Sequence, residues 1–345
     1  MERYKGFKEL DSGVDEEKLK KAHDTDFIEP YTTLDDWPKV FGYDFNKKFD
    51  IKEFLESFYH TGFQATHLYK AIKLIRKMRE ENATIFFAFT SNMISCGVRE
   101  IIAYLAQHKF VDVIVTTAGG IEEDVIKTMK PFVLGDYDAP GKFLREKAIN
   151  RTGNIFIPND RYIYFERFMN KFLQEMLDKQ KKEGRILSSD EFIKELGLRI
   201  EDKKSFLYWA SRNNIPVFCP AITDGSLGDV IYFFKYKHPE FRIDNTDELV
   251  KINNIALNSE KTGVIVIGGS LPKHYVANAN LFRGGADYAV YITTAIEYEG
   301  SNAGANPDEA VSWGKFKNKE NTVKVWGEAS IVFPLIVLGA FKDDL

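Results

Sequence analysis

A lysine beside a tryptophan, late in the sequence, is the residue with the clearest potential for covalent chemistry. Lys315 follows Trp313 and Gly314. A lysine that is partly desolvated against an aromatic ring can have its pKa lowered until the neutral amine attacks an imine. Most lysines are solvated surface groups, and the local sequence alone favours that interpretation. Lys315 is therefore a candidate nucleophile that depends on its surroundings.

Acidic residues crowd the segment before this lysine; they are Glu297, Glu299, Asp308 and Glu309. Carboxylates beside an aromatic ring suit a polyamine, because the anions pair with its ammonium groups while the ring packs on its methylenes. The alternative is a solvated acidic loop, since runs of charge usually face water. On the local sequence, the solvated loop is the stronger interpretation.

A histidine is the candidate for proton transfer. His274 comes a few residues after Gly268 and Gly269, where it could lie near a cofactor and act as a general base. The alternative is a histidine at the start of a helix that faces solvent. Cys96 lies in a polar loop without a nearby base, so we interpret it as a small loop residue.

The balance of charges limits the partners of the chain. Lys and Arg number 47 against 51 Asp and Glu, a net charge of -4 that argues against a broad surface for nucleic acid or an anionic membrane. Two cysteines are too few for a disulfide scaffold or a four-thiolate zinc site, so we predict a reducing compartment and no metal. The sequence shows neither a secretory signal nor a long apolar span, and we expect a cytoplasmic protein.

The hydrophobic pattern predicts the scaffold that must position these residues. Apolar runs alternate with polar turns and amphipathic helices, and the predicted strands span residues 85–89, 111–115, 215–219, 263–267, 288–293 and 323–326. Continuous apolar strands separated by helices predict an α/β fold, with a Rossmann-like, mostly parallel sheet and helices on both faces. Ligands of such sheets bind at the carboxyl ends of the strands.

The remaining segments suggest the domain organisation. Residues 1–40 are charged and weakly periodic, and we interpret them as an N-terminal helical extension or arm. Residues 41–345 are expected to form a single α/β catalytic domain. Within it, the charged segment of about 171–205 is predicted to be a surface helical insertion.

One turn suits a dinucleotide. Residues 117–120, Thr-Ala-Gly-Gly, follow a predicted strand and precede a helix, which would let the backbone approach a pyrophosphate. The sequence has no GxGxxG motif, and glycines that merely make a tight turn explain the segment equally well.

Several motifs together resemble deoxyhypusine synthase. They are SNMIS at 91–95, TTAGGIEED at 116–124, TDGSLGD at 223–229 and DEAVSWGK at 308–315. The similarity extends from about residue 42 to residue 341, and segments 273–280 and 285–292 fit in the same order.

This resemblance implies an NAD-dependent aminobutyltransferase. Such an enzyme transfers the aminobutyl group of spermidine, through an imine on Lys315, to one lysine of the translation factor 5A precursor. The family implies a homotetramer with active sites at subunit interfaces, and an N-terminal arm that can cover the site entrance. Lys315 and His274 are the implied catalytic residues.

The resemblance also implies two sets of binding residues. The NAD set is Ser91, Asn92, Met93, Ile94, Ser95, Thr117, Ala118, Gly119, Glu123, Asp224, Gly269, Thr294, Ala295, Glu328 and Ala329. The spermidine set is Glu122, Glu123, Asp229, His274, Gly300, Ser301, Asn302, Glu309, Ala310, Val311, Ser312, Trp313, Gly314 and Lys315.

One departure from the family pattern affects the substrate loop. Asn302 stands where the family usually has an aspartate, which removes one negative charge from a site for a polycation. A charge-assisted contact contributes roughly 1.5 to 3 kcal/mol, so weaker spermidine binding or a different amine is compatible with the sequence. Two alternatives remain open: a homospermidine-synthase-like transfer to putrescine, and a regulatory paralogue that depends on a partner.

Overall fold

The computed structural model of the chain describes residues 13–26 and 33–342. Two compact units divide between Val40 and Phe41. In the first unit, helix α1 spans Glu16–Asp26 and buries none of its residues. Its two acidic residues, Glu16 and Glu17, lie in the first turn, where the helix dipole favours negative charge.

The second unit is built on a parallel sheet of six strands. The eleven strands of the described chain are β1 (Thr84–Phe89), β2 (Val113–Val115), β3 (Val133–Leu134), β4 (Ile149–Thr152), β5 (Ile155–Pro158), β6 (Leu187–Ser188), β7 (Val217–Phe218), β8 (Ile243–Asp244), β9 (Thr262–Ile267), β10 (Tyr288–Thr293) and β11 (Thr322–Trp326). The main sheet has the order β11-β10-β9-β1-β2-β7, and all its pairs are parallel. The chain therefore proceeds outward from β1 in one direction and then in the other, which places a switch point between β1 and β9.

Helices connect these strands. They are α2 (Ile51–Thr61), α3 (Phe63–Glu80), α4 (Asn92–Ser95), α5 (Val98–Gln107), α6 (Ala118–Met129), α7 (Gly141–Glu146), α8 (Asp160–Glu183), α9 (Ser189–Leu198), α10 (Phe206–Asn213), α11 (Ser226–Lys237), α12 (Thr246–Asn258), α13 (Ser270–Ala279), α14 (Pro307–Ser312) and α15 (Ala329–Phe341), with 3-10 turns at Leu281–Arg283 and Glu297–Glu299. In the described parts of the chain, no helix combines the length and apolar character that crossing a membrane requires.

Alternate residues of the central strand pack into different cores, so both faces of the sheet are covered. Phe87 and Phe89 of β1 belong to a core shared with α3, α5, α10 and α15, whereas Phe86 and Ala88 belong to a core shared with α12 and α13. Because side chains alternate across a strand, these cores lie on opposite faces. The predicted fold class, a mostly parallel α/β sheet covered by helices on both faces, is confirmed.

The prediction of a surface insertion at 171–205 is wrong about its burial. The segment forms the end of α8, β6 and α9, and its charged residues cover a stripe that is fully buried, including Phe172, Leu177 and Phe192. These side chains belong to the main core. The many charged residues made the apolar stripe of this segment hard to detect in the sequence. Each turn of an amphipathic helix needs only one or two core residues, so most of its residues can still be charged.

Two features were not predicted from the sequence. Strands β3, β5 and β4 form a small antiparallel sheet within residues 133–158, where the apolar runs are short. Helix α6 begins at Ala118, so Glu122 and Glu123 lie beyond its first turn and are buried rather than exposed at its start.

Candidate active site

The predicted cofactor residues lie along one edge of the sheet, because each follows the carboxyl end of a strand. Residues 91–95 follow β1, 117–119 follow β2, and Asp224 lies in the turn after β7. On the other side of the switch point, the set continues at the ends of β9, β10 and β11, with Gly269, Thr294, Ala295, Glu328 and Ala329.

Glycines allow these strand-end loops to approach one another closely. A Cβ added to Gly119 would lie 2.7 Å from the Cβ of Ser91. At Gly268, whose φ is +89°, it would lie 2.8 Å from Oγ1 of Thr90. These contacts join the loops after β1 and β2 and those after β1 and β9, so a larger residue at either position would separate the loops.

Backbone contacts hold Lys315 on both sides. Helix α14 ends at Ser312, and Gly314, with a φ of +72°, reverses the chain so that the Lys315 amide donates to the carbonyl of Ala310 at 3.0 Å. The Lys315 carbonyl accepts a hydrogen bond of 2.9 Å from the amide of Ala286. The backbone from which the Lys315 side chain extends is therefore held from both sides.

The Lys315 amine lies next to the predicted base. Its Nζ is 3.3 Å from Nε2 of His274 and 5.7 Å from the centre of the Trp313 ring. Partial burial lowers the pKa of Lys315, while Glu309 opposes the change. Burial and the Lys315 charge lower the pKa of His274, so the imidazole is neutral at physiological pH. A neutral imidazole at this distance can take a proton from the lysine.

Lys315 and His274 open into a cavity of about 260 Å³, which we call the basic cavity. Of the predicted residues, its lining contains His274, Gly300, Asn302, Glu309, Ala310, Trp313 and Lys315. The prediction from sequence did not include Lys273, Ala277, Tyr291, Ala305 and Asn306, which line it as well. Trp313 is 67% exposed, so its ring is available to a substrate.

Lys273 is the most informative of the residues that were missed. It is 4% exposed, and its Nζ lies 4.2 Å from the centre of the Tyr291 ring. Burial lowers its pKa to about 8, with a further contribution from Lys324. A lysine in the first turns of α13, where the helix dipole disfavours a cation, was a signal available in the sequence.

A second group of titratable residues lies on the other half of the sheet, and we call Glu122 and Glu123 of α6 the acidic pair. Both side chains are more than nine-tenths buried. Glu122 accepts a hydrogen bond of 2.7 Å from the amide of Leu227, and Glu123 accepts one from Ser95. Burial raises the pKa of each carboxyl to about 7. Asp224 and Asp229 add to the rise at Glu122, so the four carboxylates are neighbours.

The structure separates several residues that the sequence grouped together. The lining of the basic cavity does not include the acidic pair or Asp229. It also lacks Ser301, Val311, Ser312 and Gly314. Glu297 instead pairs with Lys324, Glu299 accepts from the amide of Ile296, and Asp308 faces a neighbouring cavity. Of the four carboxylates predicted to lie near Lys315, Glu309 is therefore the one found in the described lining of the basic cavity.

The strand-end edge offers unpartnered polar atoms to a ligand. The hydroxyl oxygens of Thr116 and Thr117, at the end of β2, are buried and have no hydrogen-bond partner within the described chain. Buried polar atoms normally have partners, so these two are suited to a polar ligand. With the close glycine turns and the start of α6, they fit a pyrophosphate-bearing cofactor.

The fold and the strand-end site define the class as that of the doubly wound α/β enzymes. More narrowly, this chain belongs to the deoxyhypusine synthase family, whose model, described as "Deoxyhypusine synthase", matches residues 53–340.

Individual relatives agree with this assignment. A probable deoxyhypusine synthase of Methanocaldococcus jannaschii is 53% identical over 307 residues, which cover 85% of this chain and 93% of that protein. The deoxyhypusine synthase of Musa acuminata is 45% identical over 342 residues and 91% of both chains. A crystal structure of an Entamoeba histolytica protein assigned to deoxyhypusine synthase has a TM-score of 0.66 and 32% identity, and covers 88% of this chain and 97% of its own.

Proposed function

We propose that the chain transfers the aminobutyl group of spermidine to a lysine of the translation factor 5A precursor, in an NAD-dependent reaction through an imine on Lys315. The observation that carries the proposal is the contact of 3.3 Å between Lys315 Nζ and His274 Nε2 at the carboxyl edge of the sheet. Family membership supports the overall reaction, and the geometry supports the assignment of these two residues.

Lys315 and His274 would divide the work between nucleophile and base. The lowered pKa of Lys315 increases the share of neutral amine, which is the form that attacks an imine carbon. As the new C–N bond forms, the bond to the departing diamine breaks, and a proton must leave the attacking nitrogen. Neutral His274 is within hydrogen-bond distance to hold that proton and to return it to the leaving amine.

NAD, when bound, supplies the chemistry of accepting a hydride from the polyamine and returning it at the end. The residues that would hold NAD are those at the strand ends, from Ser91–Ser95, through Thr117–Gly119 and Glu123, to Glu328 and Ala329. Gly269, Thr294, Ala295 and Asp224 complete this set. The unpartnered hydroxyls of Thr116 and Thr117 support a polar ligand there.

We further propose that a second copy of the chain completes the site, in a homotetramer with active sites at subunit interfaces. Spermidine carries several ammonium groups, whereas the described lining of the basic cavity offers only Glu309 as a carboxylate. The acidic pair and Asp229 are separate from that cavity within one chain. A neighbouring copy that brings its acidic pair to the basic cavity would supply the missing anions.

The test is a transfer assay with purified protein. Spermidine labelled in its aminobutyl group is incubated with NAD, with and without the factor 5A precursor. We expect the wild type to label the precursor and Lys315→Ala to leave it unlabelled. Lys319→Ala, which replaces an exposed lysine, is the matched control and should label the precursor as the wild type does. Borohydride without precursor should attach the label to the peptide that contains Lys315.

Three outcomes would change the proposal. Label transferred by Lys315→Ala would exclude this lysine as the nucleophile. Label found on putrescine but not on the precursor would favour the homospermidine-synthase-like reaction. A wild type that acts only when a second, different chain is added would favour the partner-dependent paralogue.

A further inference from the structure

The loop of residues 300–306 is a wall between two cavities. Gly300, Asn302, Ala305 and Asn306 line the basic cavity. Asn306 also lines a second cavity of about 510 Å³, together with Glu297 and Lys324. Any displacement of this loop would therefore change the position of Asn302 relative to Lys315.

Two lysines from different elements bind the carbonyl groups of this loop. Lys273 of α13 donates to the carbonyl of Asn302 at 2.6 Å and to that of Ala305 at 3.0 Å. Lys324 of β11 donates to the carbonyl of Gly304 at 2.6 Å. A helix and a strand therefore both hold the loop. The hydrogen bonds found within the loop itself join Ser301 to Gly304 and Ala305.

The burial of these lysines is unusual for residues that would only cover a surface. Lys273 is 4% exposed, and no carboxylate of the described residues forms an ion pair with it. The Lys324 side chain is 10% exposed and also pairs with Glu297 at 3.2 Å. A buried ammonium group is destabilising unless its N–H groups find partners, and for Lys273 the partners are loop carbonyls and the Tyr291 ring.

The loop is also fitted closely to its surroundings. A Cβ on Gly304 would lie 1.9 Å from the carbonyl oxygen of Ile296, and one on Gly269 would lie 2.5 Å from the Cβ of Ala303. Such contacts leave the loop little room to move sideways while the lysines hold its carbonyls.

We propose that Lys273 and Lys324 form a carbonyl clamp, whose role is to hold residues 300–306 at a fixed distance from Lys315 and so to position the bound substrate. Both are positioning residues, and neither forms the covalent intermediate. The consequence for turnover rests on the proposed function, whereas the clamp itself is measurable without turnover.

The experiment compares amide hydrogen exchange in the wild type, Lys273→Met, Lys324→Met and the control Lys319→Met. No hydrogen bond or ion pair found within the described chain involves the Lys319 side chain, although it lines the second cavity. Loss of a charge-assisted hydrogen bond shifts a local opening equilibrium by about tenfold or more. We expect exchange of residues 300–306 to accelerate by that factor in both clamp variants, with β2 and α6 unchanged, and no change in the control.

A second measurement separates positioning from general stability. In both clamp variants, KM for spermidine should rise and kcat should fall, while the affinity for NAD stays at the wild-type value. Lys273→Arg, which keeps the donors, should restore part of kcat. Unchanged exchange at 300–306 in Lys324→Met, or faster exchange throughout the protein in both clamp variants, would overturn the clamp. The two proposals can fail separately. If the wild type has no transferase activity but exchange of residues 300–306 is faster in both clamp variants, the proposed function is refuted and the clamp is retained.

Discussion

Burial moves the pKa values of the two reactive regions in opposite directions. In the acidic pair it raises the pKa of Glu122 and Glu123 to about 7, and in the basic cavity it lowers that of Lys273 to about 8 and that of Lys315 as well. The acidic pair can therefore ionise fully when an ammonium group arrives, and Lys315 is closer to losing its proton. One region is suited to bind a cation and the other to act as a nucleophile.

The two regions also differ in how the fold supports them. The acidic pair lies on one helix and is held by amide and hydroxyl donors, Leu227 and Ser95. The basic cavity is assembled from α13, α14 and the 300–306 loop, which are distant in sequence. Within one chain, the acidic pair does not line the basic cavity, so the proposed reaction requires the two regions to meet across two copies of the chain.

The largest change in activity should come from combining two variants that are each expected to be inactive, Lys315→Ala and the double variant Glu122→Gln/Glu123→Gln. If the acidic pair of one copy serves the basic cavity of another, random dimers should regain about a quarter of wild-type activity, because half are mixed and each mixed dimer has one intact site. The measurement is transferase activity of co-expressed chains. Two variants that stay inactive together would place both regions in a site within one chain.

Removing the base from the basic cavity should have the next largest effect. His274→Ala is expected to lower kcat by about 10² to 10⁴, the usual contribution of a positioned acid or base. The pKa of His274 is lowered from 6.5, so wild-type kcat should fall only below that pH, as the imidazole gains a proton. His238→Ala, at the end of α11, is the control, and a pH profile that His274→Ala leaves unchanged would exclude this role.

A negative charge added to the basic cavity by Asn302→Asp should make it bind cations more tightly, as the acidic pair is proposed to do. Asn302 lines the cavity, and Lys273 holds its backbone carbonyl. Asn302→Asp should therefore strengthen spermidine binding by about tenfold or more, since a charge-assisted contact is stronger than a neutral one by roughly 1.5 kcal/mol. Equilibrium binding without NAD is the measurement, with Asn318→Asp as control. Equal affinities of the wild type and Asn302→Asp would show that this side chain does not face the polyamine.

The last prediction concerns the pH dependence of stability, which the acidic pair affects and which is measured without turnover. Because folding raises the pKa of Glu123 from 4.5 to about 7, the folded chain binds this proton more tightly, and the contribution to stability is lost as pH rises through this window. Glu123→Gln should gain about 2 to 3 kcal/mol in free energy of unfolding relative to the wild type between pH 4.5 and pH 7. Urea unfolding at several pH values measures it.

The exposed Glu166→Gln on α8 is the matched control for this last experiment, because its carboxylate is in water in both states. A constant difference between Glu123→Gln and the wild type across this pH range would mean that Glu123 titrates near its ordinary value. The acidic pair would then resemble an ordinary exposed pair, and the contrast with the basic cavity would disappear.

The strands of the main sheet could be predicted from the sequence alone, and so could the candidate reactive residues. Each strand of the main sheet overlaps its predicted range, as Tyr288–Thr293 shows, because a strand buried on both faces needs a continuous apolar run. The family resemblance assigned Ser95 and Glu123 to one NAD set, and in the structure Ser95 donates a hydrogen bond to Glu123. The motif around Lys315 identified a candidate nucleophile before any geometry was known.

Which groups are buried, and which of them share a cavity, could not be predicted from the sequence. Phe172 is buried within a charged helix, Glu297 pairs with Lys324, and Lys273 donates to the carbonyls of Asn302 and Ala305. These outcomes depend on contacts between residues far apart in the chain, and local spacing carries no information about such contacts. The pKa values of Glu123 and Lys315 follow from burial in the same way, because desolvation is a property of the packed fold and not of the residue.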